Sequence, residues 1–182
     1  MIILGIDPGT TIMGYSVISI TDNQPRLIVL GSLDQRKVKD HYQKIARIFD
    51  RTLELIREYK PNAMAIESPF YGNNVQSMLK LGRAQGAAIS AALHTNVEVF
   101  EYAPRKIKQS ITGYGNASKE QIAKFLEQIL KTLLNQDTLD ATDSLAAALC
   151  HFYQLRTPVK HTSSKSWKDY VQKNQDRISK NK

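Results

Sequence analysis

Four acidic side chains stand where residue type and spacing allow joint chemistry: Asp7, Glu67, Asp140 and Asp143. Asp7 closes an apolar run at residues 2–6, and Glu67 closes a second at residues 63–66. If these runs are neighbouring parallel strands, both carboxylates emerge at the carboxyl edge of a sheet, where the ligand sites of open α/β sheets lie. Asp140 and Asp143 are three residues apart on a helical stretch. That spacing puts them about 60° apart around the axis and roughly 4.5 Å along it, so both can face one point. A helix crossing the strand ends would bring all four acids together. Like charges that close repel, and some would keep their protons unless a cation compensates. An all-oxygen donor set without cysteine or a suitably placed histidine selects Mg²⁺ or Mn²⁺. His151 follows Asp140 by eleven residues, about 16 Å further along a helix, and is too distant to join.

Each acid alone has a plainer reading. Asp7 precedes Pro8-Gly9 and suits a turn. Glu67 suits an exposed loop acid. Asp140 suits the first turn of a helix capped by Asp137 or Thr138. Asp143 resists this treatment, because it sits in the apolar stretch 141–149, where an unpaired acid is costly. The joint pattern is more specific than any member.

The elements that must position these acids can be read from hydrophobic period. Residues 2–7, 14–20 and 27–30 read as three strands with short links, which favours an antiparallel meander. Residues 36–60 switch to helical period, with Ile45, Ile48, Phe49, Leu53, Ile56 and Tyr59 on one stripe, until Pro61 stops them. A strand at 63–66 follows, then a loop containing Phe70. A helix capped by Asn73 or Asn74 runs to about His94, its second half built almost entirely of small residues. Residues 97–100 read as a fifth strand. Pro104 begins a short helix broken by Gly113, 118–134 is amphipathic, and a last helix spans about 138–155. The fold class is therefore α/β: a mixed five-stranded sheet with helices on both faces, and right-handed crossovers give the order 3-2-1-4-5.

At 182 residues, 42% hydrophobic and 23% charged, the chain reads as one soluble globular domain. No apolar run reaches the ~18–20 residues a membrane span needs, and no basic segment before residues 1–6 suggests a leader. The single cysteine, Cys150, fits a packing role in a reducing cytoplasm. Of the net charge of +8, most falls in residues 156–182, which hold eight Lys and Arg against two Asp and Glu. Charge alone does not choose between a polyanion partner and a solvated tail. The expected division is a folded domain over 1–156 and a basic, disordered tail over 157–182.

Several blocks carry a resemblance: Gly5-Ile6-Asp7-Pro8-Gly9-Thr10 with Gly14-Tyr15, then Ala65-Ile66-Glu67, then Leu79-Lys80-Leu81-Gly82-Arg83-Ala84-Gln85-Gly86, then Val99-Phe100-Glu101-Tyr102, then Asp140-Ala141-Thr142-Asp143-Ser144-Leu145-Ala146. Over about residues 1–155, in order and approximate spacing, the chain resembles the RuvC Holliday-junction resolvases. The resemblance implies a ribonuclease H-like fold. It also implies a homodimeric, Mg²⁺-dependent endonuclease that nicks opposing strands of a four-way junction in recombination and repair, leaving 5′-phosphate and 3′-hydroxyl ends. Asp7, Glu67, Asp140 and Asp143 would then be the catalytic acids, holding two Mg²⁺ ions, with Mn²⁺ able to substitute.

By the same resemblance Phe70 stacks at the junction crossover, although a loop aromatic also tucks into cores. Lys80, Arg83, Arg105, Lys108 and Lys119 would contact DNA, although each alone also reads as a solvated surface residue. The small-residue helix would form the dimer interface, although burial against the sheet accounts for it equally. A branch-migration helicase complex is the implied protein partner. Two rival readings stand beside this one. Gly-Ile-Asp-x-Gly-Thr-Thr is also the phosphate-binding turn of ATPase and sugar-kinase lobes, which come in pairs. A non-catalytic junction-binding protein would not need all four acids.

Overall fold

Strands β1 (Ile2–Asp7), β2 (Ile12–Thr21) and β3 (Gln24–Asp34) form an antiparallel meander. β2 and β3 run longer than their hydrophobic pattern predicts. They meet in a two-residue turn, Asp22 and Asn23, whose φ angles of 49° and 63° are left-handed. That is the backbone of a type I′ hairpin turn, which Asp and Asn tolerate better than other non-glycine residues. The computed structural model describes residues 1–69, 74–134 and 141–156; Phe70, Asp140, the expected helix start at 138 and the basic segment 157–182 lie outside them.

Helix α1 (His41–Tyr59) follows the meander. It starts later than the expected residue 36, because the preceding chain is tied elsewhere. The Gln35 N–H donates to the Thr11 carbonyl at 2.8 Å, and the Arg36 guanidinium folds back onto Asp34 at 2.6 Å. The Asp40 side chain then caps the helix by accepting from the Tyr42 N–H. Strand β4 (Ala63–Glu67) lies parallel to β1, helix α2 (Val75–His94) is capped by Asn74, and β5 (Glu98–Tyr102) lies parallel to β4. The strand order is β3-β2-β1-β4-β5, the order expected from crossover handedness.

Helices α3 (Pro104–Thr112), α4 (Lys119–Leu130) and α5 (Thr142–Arg156) complete the described chain. α4 stops four residues short of the expected 134. Lys131 turns left-handed at φ 51°, and the Glu127 side chain accepts the Leu134 N–H at 2.9 Å, which satisfies the backbone in a non-helical loop.

Two apolar cores flank the sheet. Leu4, Ile6, Met13, Val17, Met64 and Ile66 pack with α1 and α2. Ile3, Ile18 and Ala65 pack with α3, α4 and α5 on the other face. Burial is nearly complete along α5, which explains its lack of an amphipathic stripe: the sheet covers one side and α3 and α4 the other. Cys150 is a buried free thiol in that helix, as the packing reading expects.

Candidate active site

Alternation along the strands decides where the acids point. β1 and β4 are in register at Leu4–Met64, Gly5–Ala65 and Ile6–Ile66, so Asp7 and Glu67 end adjacent strands side by side, roughly one strand spacing apart. Ile3 and Ala65 face the α5 core. With a period of two, Asp7 and Glu67 project to that same face. Glu67 is further fixed by its neighbour, since the following Ser68 N–H donates to the Tyr102 carbonyl of β5 at 3.0 Å.

α5 reaches these strand ends because Gly5 lets it. A Cβ at position 5 would collide with the Ser144 carbonyl and the Ser16 hydroxyl, so the backbones of β1 and α5 touch there. Asp143, next to Ser144 in the first turn of α5, is thereby delivered to the sheet edge. Its Oδ2 lies 3.4 Å from the Nζ of Lys119, the first residue of α4.

Charge at the site is unbalanced toward the negative. The Glu67 carboxyl is pushed up to about 8, first by burial, then by the neighbouring Asp7 and Asp143 carboxylates, with Lys108 and Lys119 opposing. At neutral pH it holds a proton that an isolated glutamate would have lost. The Lys108 Nζ stands beside it, donating to the Ala117 carbonyl at 3.0 Å.

The clefts around these groups connect through shared residues. Asp7, Pro8, Glu67, Ser68, Pro69 and Leu81 line one. Glu67, Pro104, Lys108, Lys119, Ile122 and Asp143 line the next, of about 380 Å³. Beyond it, Pro104, Arg105, Lys108, Gly115 and Asn116 line a third. Lys80 lines a separate cleft that shares Leu81 with the first. Arg83 is exposed on α2 and lines none of these four. The structure thus brings together Asp7, Glu67, Asp143, Lys108 and Lys119, extends the line to Arg105, and leaves Arg83 apart. Pro104 and Leu81, which wall the clefts, carry no chemical signal in the sequence. Gly5 carries one, since a glycine inside a strand pattern marks a close backbone approach.

No group of three or more Asp, Glu, His or Cys among the described residues is gathered tightly enough to hold a metal ion as it stands. The donor chemistry nonetheless fits a hard divalent cation: carboxylates only, with Glu67 held protonated by burial first and by the Asp7 and Asp143 charges second. His151 is not a candidate ligand. It is buried on the sheet-facing side of α5, with Nδ1 2.7 Å from the Tyr102 hydroxyl and its ring 4.2 Å from that of Phe100, and burial pushes its pKa down.

A family model described as "Crossover junction endodeoxyribonuclease RuvC" matches residues 3–151. The chain belongs to the RuvC family. A RuvC of Bacteroides fragilis is 52% identical over 180 residues, covering 97% of this chain and 95% of that protein. One of Porphyromonas gingivalis is 50% identical over 182 residues, covering 97% and 96%. Among solved structures, Thermus thermophilus RuvC in complex with a Holliday junction substrate superposes with a TM-score of 0.79 at 31% identity, covering 86% of this chain and 95% of that one. The fold is accordingly ribonuclease H-like, as RuvC membership implies, and the family is one of endonucleases, that is, hydrolases.

Proposed function

We propose that this protein resolves four-way DNA junctions by paired, symmetric nicks that leave 5′-phosphate and 3′-hydroxyl ends, in homologous recombination and DNA repair. The observation that carries this is the convergence of Asp7, Glu67 and Asp143 on one sheet edge beside Lys108 and Lys119, in a member of the RuvC family. The Thermus thermophilus RuvC structure is a complex with a Holliday junction substrate, which supports the same substrate here.

Asp7, Glu67 and Asp143, with Asp140 as the fourth acid, would hold two Mg²⁺ ions (or Mn²⁺), which when bound lower the pKa of the attacking water and stabilise charge on the departing 3′ oxygen. The protein's own groups do the rest. Glu67 must give up its proton as the cations load: burial raises its pKa first and the Asp7 and Asp143 carboxylates raise it further, and bound cations would oppose both. Lys119, 3.4 Å from Asp143, and Lys108, anchored on the Ala117 carbonyl, are cations placed to hold the non-bridging phosphate oxygens. Arg105 prolongs that basic edge. Lys80 and Arg83 are proposed as further DNA contacts on α2, and Phe70 as the aromatic that stacks at the crossover.

A homodimer is part of the proposal. Val75, Leu79 and Leu93 are exposed on α2, and the space beside Gly82 and Gly86 is open. These residues recur at steps of three, four and seven along one face of the helix, a stripe suited to a close two-fold contact. Two sites related by that axis would match the symmetry of an open junction. A cytoplasmic location and a branch-migration helicase partner complete the proposal. No helix among the described residues is long and apolar enough to cross a membrane.

The test is incubation with a synthetic immobile-core junction, a linear duplex and a single strand, with and without Mg²⁺. Symmetric nicks confined to the junction and to Mg²⁺ are expected. Cutting of all three alike, or none of any, would overturn the proposal.

A further inference from the structure

We propose that the cleft bounded by the β1–β2 turn and the first turns of α1 and α2 is a second phosphodiester-binding site. It would hold the cleaved strand on the side of Asp7 opposite Lys108 and Lys119. The inference rests on the junction-cleaving function proposed above and adds to it the path of the strand.

The cleft has a volume of about 420 Å³, and Thr10, Thr11, Lys39, Lys44, Ser77 and Lys80 supply its polar lining together with His41. No carboxylate among the described residues lines it. Three ammonium groups and three hydroxyls make a wall rich in donors, the chemistry that meets phosphate oxygens. His41 is half-buried in the same wall, and its Nε2 makes no hydrogen bond to the described residues.

Position ties the cleft to the catalytic edge. Thr10 and Thr11 follow Asp7 by three and four residues, and Leu81 lines both this cleft and the one containing Asp7 and Glu67. The Gln35 N–H bond to the Thr11 carbonyl, at 2.8 Å, pins the approach to α1 against the β1–β2 turn. The order along the surface is therefore Arg105, Lys108 with Lys119, the acids, Leu81, then Lys80 with Lys39 and Lys44. In this series of adjoining clefts cations flank the acids on both sides, as a strand crossing the site would require. Among the described residues that line it there is no Phe, Tyr or Trp, and its polar groups are ammonium and hydroxyl donors. Its contacts would be to the backbone and independent of sequence. The cleft is open and far roomier than one phosphate ion needs, which favours a strand over a free anion.

The experiment measures affinity for a synthetic four-way junction in EDTA across a salt series, for the wild type, a Lys39→Gln/Lys44→Gln pair and a charge-matched Arg26→Gln/Lys124→Gln control. Each phosphate contact contributes about 0.9 to the slope of log K against log salt. The Lys39/Lys44 variant should bind more weakly, with a slope shallower by about 1–2 for one or two lost contacts, while the control matches the wild type. Single methylphosphonate linkages should then weaken wild-type binding at phosphates to one side of the scissile bond and cause no further loss there in the variant. A slope equal to the control's, or losses that add at every linkage, overturns the inference. So does competition by millimolar inorganic phosphate for the wild type while the variant binds the junction normally, since that marks a free-anion site. A wild type that neither binds nor nicks the junction would instead overturn the function proposed above.

Discussion

Gly5 of β1 and Ser144 of α5 meet backbone to backbone, leaving no room for a Cβ at position 5. This contact brings Asp143 to the strand ends that carry Asp7 and Glu67, so packing and site geometry depend on one hydrogen atom in place of a methyl group. Gly5→Ala is expected to push α5 off the sheet and cost about 2–3 kcal/mol, the upper range for overpacking. In a domain of this size that is a fall in Tm of roughly 5–10 °C. Thermal unfolding by circular dichroism measures it, and an unchanged Tm would mean the helix can shift freely.

Asp7→Asn keeps the size and polarity of the side chain and removes its charge. Junction binding should persist while Mg²⁺-dependent cleavage falls by at least about 10³-fold, equivalent to about 4 kcal/mol of transition-state stabilisation. Gel-shift and nicking assays on the same junction separate the two effects. Cleavage near the wild-type rate would remove Asp7 from the mechanism.

The raised pKa of Glu67 makes metal-free stability depend on pH. A folded-state pKa of about 8 against an ordinary 4.5 means the folded form binds the proton more tightly. The resulting stability is complete below about 4.5 and is lost as pH rises toward and through 8. In EDTA, wild-type Tm should therefore fall from pH 5 to pH 9 relative to Glu67→Gln, which cannot ionise there. Added Mg²⁺ should close the gap at pH 9 by stabilising the charged acids. Parallel Tm profiles for the two proteins would show that Glu67 does not titrate abnormally.

The exposed stripe on α2 offers a test of assembly that spares the monomer. The space beside Gly86 is open, so Gly86→Arg meets no neighbour within the chain and replaces a poor helix former by a good one. Light scattering coupled to size exclusion should give a dimer mass for the wild type and a monomer mass for the variant. Paired nicking should become single nicking. A variant that remains dimeric would place the interface elsewhere.

The order of elements, the direction of each strand and the sheet order 3-2-1-4-5 were legible from the chain, because they follow from local period, turn residues and crossover handedness. Boundaries were less legible where side chains compete with the backbone. Gln35, bonded to the distant Thr11 carbonyl, delays α1, an effect set by where the β1–β2 turn lies, whereas Glu127 ends α4 early by accepting from Leu134 in its own loop.

For the site, residue types and strand ends were enough to name Asp7, Glu67 and Asp143, since an acid closing an apolar strand or interrupting an apolar helix needs a reason wherever the chain goes. Their common face, the pressure their charges put on Glu67, and the line of clefts from Arg105 to Lys44 came only with the tertiary structure. Lys39, His41 and Lys44 show why. Read along the chain they are ordinary polar residues at a helix start, and only the packing of α1 and α2 beside the β1–β2 turn sets them next to Thr10, Thr11 and Lys80. Periodicity records which side of an element is buried; it holds no information about which distant surface residues the folded chain will bring face to face.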